Sequence, residues 1–185
     1  MGGSGGAPGG SGGGTVVIED DCSYEACGGD LADTEWSYSR LCVERDALLA
    51  GIGSLCATVE LISSSGDVTG TIGFTDDTYE QDASFSITGE FQVPSECNPA
   101  GCALIELALA SVGGFSDPDC TASAGGGCRC SATLAGSAEV TADYSTDGDD
   151  LTLDGDEGTY CVSGDSFKYT GSLQGVEFVY ETVPQ

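Results

Sequence analysis

Ten cysteines are the feature that most constrains how this 185-residue chain can fold. Their number is even, the chain has no histidine, and no C-x-x-C spacing occurs in it. Zinc knuckles separate their cysteines by two or more residues, whereas a single residue separates Cys128 from Cys130. The sequence therefore predicts five disulfides and an oxidising compartment, with about 945 pairings left open. The cysteines are Cys22, Cys27, Cys42, Cys56, Cys97, Cys102, Cys120, Cys128, Cys130 and Cys161.

The charge balance excludes whole classes of partner. The chain has 31 acidic and four basic residues, a net charge of −27. Nucleic acids and anionic membrane surfaces are both bound through lysine and arginine, so neither is an expected partner. A cationic protein partner or bound cations fit better. Because like charges repel in the folded state, we expect stability to rise with salt or with divalent cations.

The N-terminal segment predicts a tether. Residues 1–14 are almost entirely glycine and serine, and we place a flexible tether at 1–18 and a β domain at 19–185. The tether is either the natural spacer of a lipoprotein or an expression linker. No apolar run reaches the ~18 residues of a membrane span, and no signal peptide is visible. Because disulfides require export, we expect a targeting segment in a precursor, and a secreted or outer-membrane-anchored protein whose lipid anchor is absent from this chain.

Alternation of apolar and polar residues predicts strands, most clearly over 79–93. Odd positions there carry Tyr, Ala, Phe, Ile, Gly, Phe and Val, with Gln81 as the polar exception, and every even position is polar. Period two is typical of a strand with one face in the core. A strand of this length would span about 50 Å, so we expect it to bend, with Gly89 as the position.

Turn signals and two interruptions complete the predicted fold. Pairs such as Asp147-Gly148 and Asp154-Gly155 separate short alternating segments, as in antiparallel hairpins. Residues 44–53 and 102–112 are rich in leucine and alanine and are predicted to be short helices, the second a disulfide-bridged flap over one end. Because Cys128 and Cys130 share one face of a strand, each should reach a different partner. The fold class is all-β: an antiparallel, up-and-down, lipocalin-like barrel stapled by disulfides.

Several ordered motifs resemble one known family. They are residues 27–31 (CGGDL) followed by Trp36, residues 69–74 (TGTIGF), the Cys-x-Cys at 128–130, and the closing segments 150–153 and 160–167. In this order the chain resembles the Cys-rich, Gly-tethered lipocalin-like lipoproteins that are frequent in myxobacteria and their relatives. The resemblance covers roughly residues 22–170. It implies a surface-tethered, non-catalytic barrel, with small apolar molecules as the ligand class.

Catalysis has little support in the residues. Without histidine, Ser-His-Asp and Cys-His arrangements are impossible, and no G-x-S-x-G motif occurs. Paired carboxylates are abundant, but no pair stands out. Glu106 is the only charge inside a strongly apolar run, and we assign it to the solvent face of a short helix. We predict that the protein is not an enzyme and has no cofactor.

Weak calcium binding is a separate hypothesis, which rests on two acidic turns. Carboxylate oxygens on tight turns are suitable calcium ligands, but neither turn fits the twelve-residue calcium loop. Two adjacent hairpin turns are the preferred interpretation of the same residues. The candidate ligands are Asp147, Asp149, Asp150, Asp154, Asp156 and Glu157.

The candidate ligand site is the interior of the predicted barrel. A polar group among aromatic side chains is typical of a small-molecule pocket, but the same residues could form a filled core, since eight strands leave little more than side-chain space. We slightly favour the filled core. A structural or protein-interaction module that uses its acidic, cation-binding surface is the alternative function. The candidate interior residues are Trp36, Tyr38, Gln81, Phe85, Phe91, Phe167 and Tyr169.

Overall fold

The computed structural model describes residues 13–53, 56–97, 101–111, 114–173 and 176–185. Within these ranges the chain is mostly β-sheet, with ten strands and two α-helices. The helices are α1 (Arg45–Gly53) and α2 (Cys102–Ser111), and a single 3-10 turn spans Ser95–Cys97. The strands are β1 (Gly13–Glu19), β2 (Thr34–Glu44), β3 (Glu60–Phe74), β4 (Thr78–Val93), β5 (Phe115–Ala122), β6 (Cys128–Asp147), β7 (Asp150–Leu153), β8 (Asp156–Ser163), β9 (Ser166–Leu173) and β10 (Val176–Pro184).

The strand pairing closes into a ring. From β2 to β4 and from β6 to β10, each strand pairs antiparallel with the next. β4 pairs with β6, and β10 pairs back with β2, which completes the circuit. β1 lies parallel to β2 and also pairs with β3, while β5 pairs with residues 128–134 of β6. The structure confirms the predicted β-rich fold with two short helices and five disulfides.

The alternation predicted for β4 is present in the structure. Tyr79, Ala83, Phe85 and Ile87 are buried on one face, while the polar residues between them are exposed or half-buried. Gln81 shares the buried face and is itself half-buried. The one register irregularity along the β3–β4 pair lies in β3, between residues 61 and 63, rather than at a glycine of β4. The bend predicted at Gly89 stays a prediction.

Buried residues form two main hydrophobic clusters and a small third one. The larger lies inside the ring and contains most of the buried aromatic residues, Trp36 and Phe167 among them. The second lies beneath the two helices and includes Ile52, Phe91 and Leu109. Val179, on the outer side of β10, is covered by the Cys22–Cys42 disulfide, which explains an apolar residue at a position where a polar one is usual.

All ten cysteines form disulfides, as predicted. Cys128 and Cys130 bond to different partners, so that α2 and β5 are both pinned to β6. The prediction that the second helix is disulfide-bridged is confirmed, while its position over one end of a barrel stays a prediction. Five disulfides indicate an oxidising, extracytoplasmic environment. The pairs are Cys22–Cys42, Cys27–Cys161, Cys56–Cys97, Cys102–Cys128 and Cys120–Cys130.

Both predicted helices form, but α2 is oriented differently from the prediction. Glu106 does not face solvent: it is half-buried, and its Oε2 accepts a hydrogen bond of 3.2 Å from the backbone N of Cys120. Leu104 and Leu107 are instead 52% and 66% exposed. Leu109 is the buried leucine of the helix, and the Cys102–Cys128 bridge ties its first residue to β6. None of the helices in the described ranges has the length and apolarity needed to cross a membrane.

The predicted tether boundary at residue 18 is wrong. Residues 13–18 belong to β1, which pairs with β2 and β3, and residues 1–12 lie outside the described residues. The glycines made this segment look like a linker, but Gly14 packs directly on a neighbouring strand. A Cβ at Gly14 would lie 2.4 Å from the carbonyl carbon of Ser39, so this pairing requires glycine there.

Candidate functional site

A cavity of about 340 Å³ lies inside the ring of strands and opens through its wall. Inward-facing residues of β4, β6, β7 and β9 form its interior, among them Gln81, Val140, Leu151 and Tyr169. Polar residues of β9, β10 and the β7–β8 turn form its mouth. The volume falls within the range of small-molecule pockets.

The opening exists because β6 is longer than its partners on one side. One edge of β6 pairs with β4 along residues 128–143. The other edge pairs with β5 up to Leu134, and on the far side Asp143 O accepts a hydrogen bond of 3.2 Å from Asp154 N before the β7 ladder begins at Tyr144. Residues 135–142 of that edge therefore have no strand partner in the described structure. β9 also lacks a ladder partner on one edge, because the β8–β9 ladder ends at Tyr169. At the next residue a side chain takes the place of the backbone pairing: the Thr170 hydroxyl accepts a hydrogen bond of 2.8 Å from Thr159 N.

Gln81 and two buried tyrosines form a polar cluster at the base of the cavity. Gln81 Nε2 donates hydrogen bonds to the hydroxyls of Tyr38 (2.8 Å) and Tyr169 (3.1 Å), and the two hydroxyls are 2.8 Å apart. Tyr38 is 1% exposed and Tyr169 is 2% exposed. Gln81, the polar exception on β4, is therefore held by side chains of β2 and β9, neither of which pairs with β4.

The cluster cannot satisfy its own hydrogen bonds. The amide NH₂ and the two phenols carry four hydrogens between them. Three of these are used in the three contacts, so one phenolic hydrogen is left over. Gln81 Oε1 has no partner among the described residues. A donor and an acceptor are thus left over at the base of a cavity, where an unmade hydrogen bond is costly.

Burial keeps these phenols neutral. It raises the pKa of Tyr38 and of Tyr169 well above the ordinary value of a tyrosine. It also raises the pKa of Tyr180, which lines the cavity from β10, to about 12. At neutral pH the base of the cavity therefore carries no charge.

Stacked aromatic rings form one wall. The ring of Tyr169 stacks on Phe167 with centroids 5.1 Å apart, and on Tyr180 with centroids 4.8 Å apart. Tyr180 is half-buried and lines the cavity, so the end of this column faces the space. Phe85 lines the same cavity and contacts Phe178 with centroids 5.3 Å apart.

The mouth is acidic. Exposed carboxylates from the β7–β8 turn and from Glu177 surround it. Tyr79 is a buried side chain whose hydroxyl has no hydrogen-bond partner among the described residues. Burial raises the pKa of Tyr79, and the charges of Asp154 and Asp156 raise it further. The mouth carboxylates are Asp154, Asp156, Glu157 and Glu177.

The structure brings four of the seven predicted interior residues to the cavity. Gln81, Phe85 and Tyr169 line the cavity, and Tyr38 supports it through the polar cluster. Trp36 and Phe167 do not line it, because their rings pack together with centroids 5.6 Å apart.

The prediction that Phe91 belongs to this interior is wrong, because Phe91 lies in the second core against Phe115. The alternation of β4 shows which side of the strand Phe91 occupies, but not that a second core begins beneath the helices.

Several cavity residues were missed by sequence reasoning. Tyr180 and Val140 belong to alternating segments, so the signal for an inward position was present in the sequence. The mouth residues Asp156 and Glu157 had no such signal. They line a cavity because one edge of β6 lacks a partner between its β5 and β7 ladders and the β8–β9 ladder ends at Tyr169. These ladder ends depend on how strands that are distant in sequence pair.

The calcium candidates fall into two groups at opposite ends of β7. Asp147, Asp149 and Asp150 lie at the β6–β7 turn, while the other three lie at the β7–β8 turn. No group of three or more such ligands is gathered anywhere in the described ranges. The hairpin interpretation is confirmed: Asp154 and Gly155 have φ values of 50° and 89°, as a two-residue Asp-Gly turn requires.

Comparison of the chain with models of protein families, with curated proteins and with solved structures found no match. Function is therefore inferred from the chemistry of the cavity. The cavity offers non-covalent interactions: an aromatic wall, an unfilled donor and acceptor at the base, and carboxylates at the mouth.

Proposed function

We propose that the protein is an extracytoplasmic, non-enzymatic binding domain that holds a small, largely apolar molecule in the cavity. The observation that carries this proposal is the incomplete hydrogen bonding of Tyr38, Tyr169 and Gln81 at the base of a 340 Å³ space. A ligand with one donor and one acceptor would complete it.

A lipocalin-like barrel is the architecture that best fits this function. Eight strands pair in chain order around the ring, which is the order of an up-and-down barrel. Aromatic and aliphatic side chains surround the cavity, as in barrels that enclose one small ligand. Five disulfides and the glycine-rich N-terminal sequence support membership in the Cys-rich, Gly-tethered lipoprotein family, with anchoring at the outer membrane.

Binding of a neutral fluorophore tests the proposal. N-phenyl-1-naphthylamine fluoresces more strongly in apolar surroundings, and we expect a saturable increase in its emission with one site per chain. Ala138→Phe places a ring in the cavity and should abolish that increase, because Ala138 lines the space. Ala135→Phe is the matched control: it lies on the same strand but is exposed and outside the cavity.

The two variants separate binding in the cavity from binding elsewhere. Equal loss in both variants, or full retention in Ala138→Phe, contradicts the proposed site. Circular dichroism of each variant shows whether the fold is intact.

A second candidate function is protein interaction through α2. Leu104 and Leu107 expose large apolar side chains on one helix, and the net charge of −27 suits a cationic partner. Co-precipitation of one defined partner by the native chain, lost in a Leu104→Gln, Leu107→Gln double variant, supports this function. Persistence of the complex in the double variant eliminates it.

A further inference from the structure

We infer that the ligand is an organic cation, in which an amine is attached to an aromatic body. This inference rests on the proposed function, because it names the chemical class that the same cavity would hold. It comes from three features of the cavity taken together: the sign of the charge at the mouth, the aromatic wall and the unfilled base.

The mouth carries one sign of charge. Apart from tyrosines, the ionisable side chains among the described lining residues are the four carboxylates of the mouth. All four cations of the chain are paired elsewhere. Arg40 and Lys168 contact Glu181, while Arg45 and Arg129 have their own carboxylate partners. No lysine or arginine side chain, all four of which lie in the described ranges, therefore neutralises the mouth.

The wall behind the mouth suits an aromatic cation. Tyr180 presents its ring at the end of a stacked column, and aromatic faces attract ammonium groups when water is excluded. The buried Tyr79 hydroxyl lies near Asp154 and Asp156 without a hydrogen-bond partner among the described residues. An amine at the mouth can donate to that oxygen while it remains close to the carboxylates.

The charge of the whole protein acts in the same direction. With a net charge of −27, the surface field draws cations towards the mouth and repels anions. Fatty acids and other apolar carboxylates are therefore poor ligands, although their tails match the wall. Among apolar molecules of one size, a cation should bind best and an anion worst.

Three naphthalenes with one ring system test this order by isothermal titration calorimetry at pH 7 and low salt. The probes are 2-naphthylmethylamine, which is protonated at that pH, 2-naphthylmethanol, which is neutral, and 2-naphthoate, which is an anion. We expect affinity to fall about ten-fold from the amine to the alcohol and again to the carboxylate. Added salt should weaken the amine alone, because screening acts on charge.

Charge variants show whether the mouth is the cause. Replacing the four mouth carboxylates by Asp154→Asn, Asp156→Asn, Glu157→Gln and Glu177→Gln should weaken the amine about ten-fold and leave the alcohol unchanged. Asparagine suits position 154, whose φ is 50°. The control replaces four exposed carboxylates outside the cavity, as Glu35→Gln, Glu44→Gln, Glu60→Gln and Glu80→Gln, and removes the same charge.

The outcomes distinguish this inference from the proposed function. Equal affinity for amine and alcohol, or equal weakening of the amine by both quadruple variants, overturns the inference while the cavity remains a binding site. Binding of none of the three naphthalenes, together with no signal from N-phenyl-1-naphthylamine, overturns the proposed function and the inference with it.

Discussion

The N-terminal end of β6 and the middle of the same strand contrast sharply. Residues 128–134 pair on both edges, carry two disulfide cysteines and cover the second core beneath α1 and α2. Residues 135–142 pair on one edge only and border the cavity. Three of the five disulfides lie at the first end, and no cysteine lines the cavity. The contrast indicates that crosslinks supply stability at the N-terminal end of the strand, so that its middle can remain open.

Truncating a phenylalanine in each region should produce the largest difference in unfolding free energy between the two regions. Phe91→Ala removes a 1% exposed ring from the second core and should cost about 4 kcal/mol of unfolding free energy. Phe85→Ala enlarges an existing cavity, and we expect a cost of about 2 kcal/mol because the site is already loosely packed. Urea unfolding of both variants measures the difference, and equal losses would remove the energetic distinction between the two regions.

Removing the bridge between α2 and β6 is the next largest change. Cys102→Ala with Cys128→Ala opens a bridge between residues 26 positions apart, which should cost about 3 kcal/mol. Binding of the neutral fluorophore should be unaffected, because the bridge is remote from the cavity. A large loss of fluorophore binding in a folded double variant would show that the two regions are coupled.

Alkaline pH should destabilise the cavity side of the molecule. The pKa of Tyr180 is raised to about 12, so the unfolded chain loses this proton first, near pH 10. Stability from Tyr180 is therefore complete below pH 10 and falls between pH 10 and 12, by about 1.4 kcal/mol for each pH unit. Tyr180→Phe should reduce that slope in urea titrations from pH 9 to 11, and a slope identical to the native protein's contradicts the assignment.

Salt should have the smallest and least local effect. Screening of the −27 net charge should raise the unfolding free energy by about 1 kcal/mol between low and moderate ionic strength. Magnesium and calcium should act alike, because no group of three metal ligands is present in the described part of the chain. A thermal melt that is independent of salt, or a calcium effect far above that of magnesium, refutes this account of the charge.

Local patterns predicted the elements of the fold but not how they meet. The alternation along β4 reflects the period of a strand, and the Asp154-Gly155 turn reflects what a two-residue hairpin requires, so both could be predicted from neighbouring residues. The Cys27–Cys161 bridge joins positions 134 apart, and nothing in the spacing indicates it. Gly14 was misassigned because glycine is common both in linkers and where strands approach closely.

The candidate site was partly predictable for the same reason. Gln81 stood out as a polar residue on an apolar face, and it lies at the centre of the polar cluster. The two tyrosines that hold it come from β2 and β9, and only the closed ring brings them together. The acidic mouth depends on where two ladders end, which is a property of pairing and not of any one segment.

Backbone hydrogen exchange along β6 tests the central claim most directly, with and without N-phenyl-1-naphthylamine. Residues 128–134 should exchange slowly in both conditions, because both edges of the strand are paired and bridged. Residues 135–142 should exchange faster in the free protein and slow down when the fluorophore binds. Uniform protection along β6, or slowing confined to the end beneath the helices, would contradict the division of the molecule into a stapled end and an open binding wall.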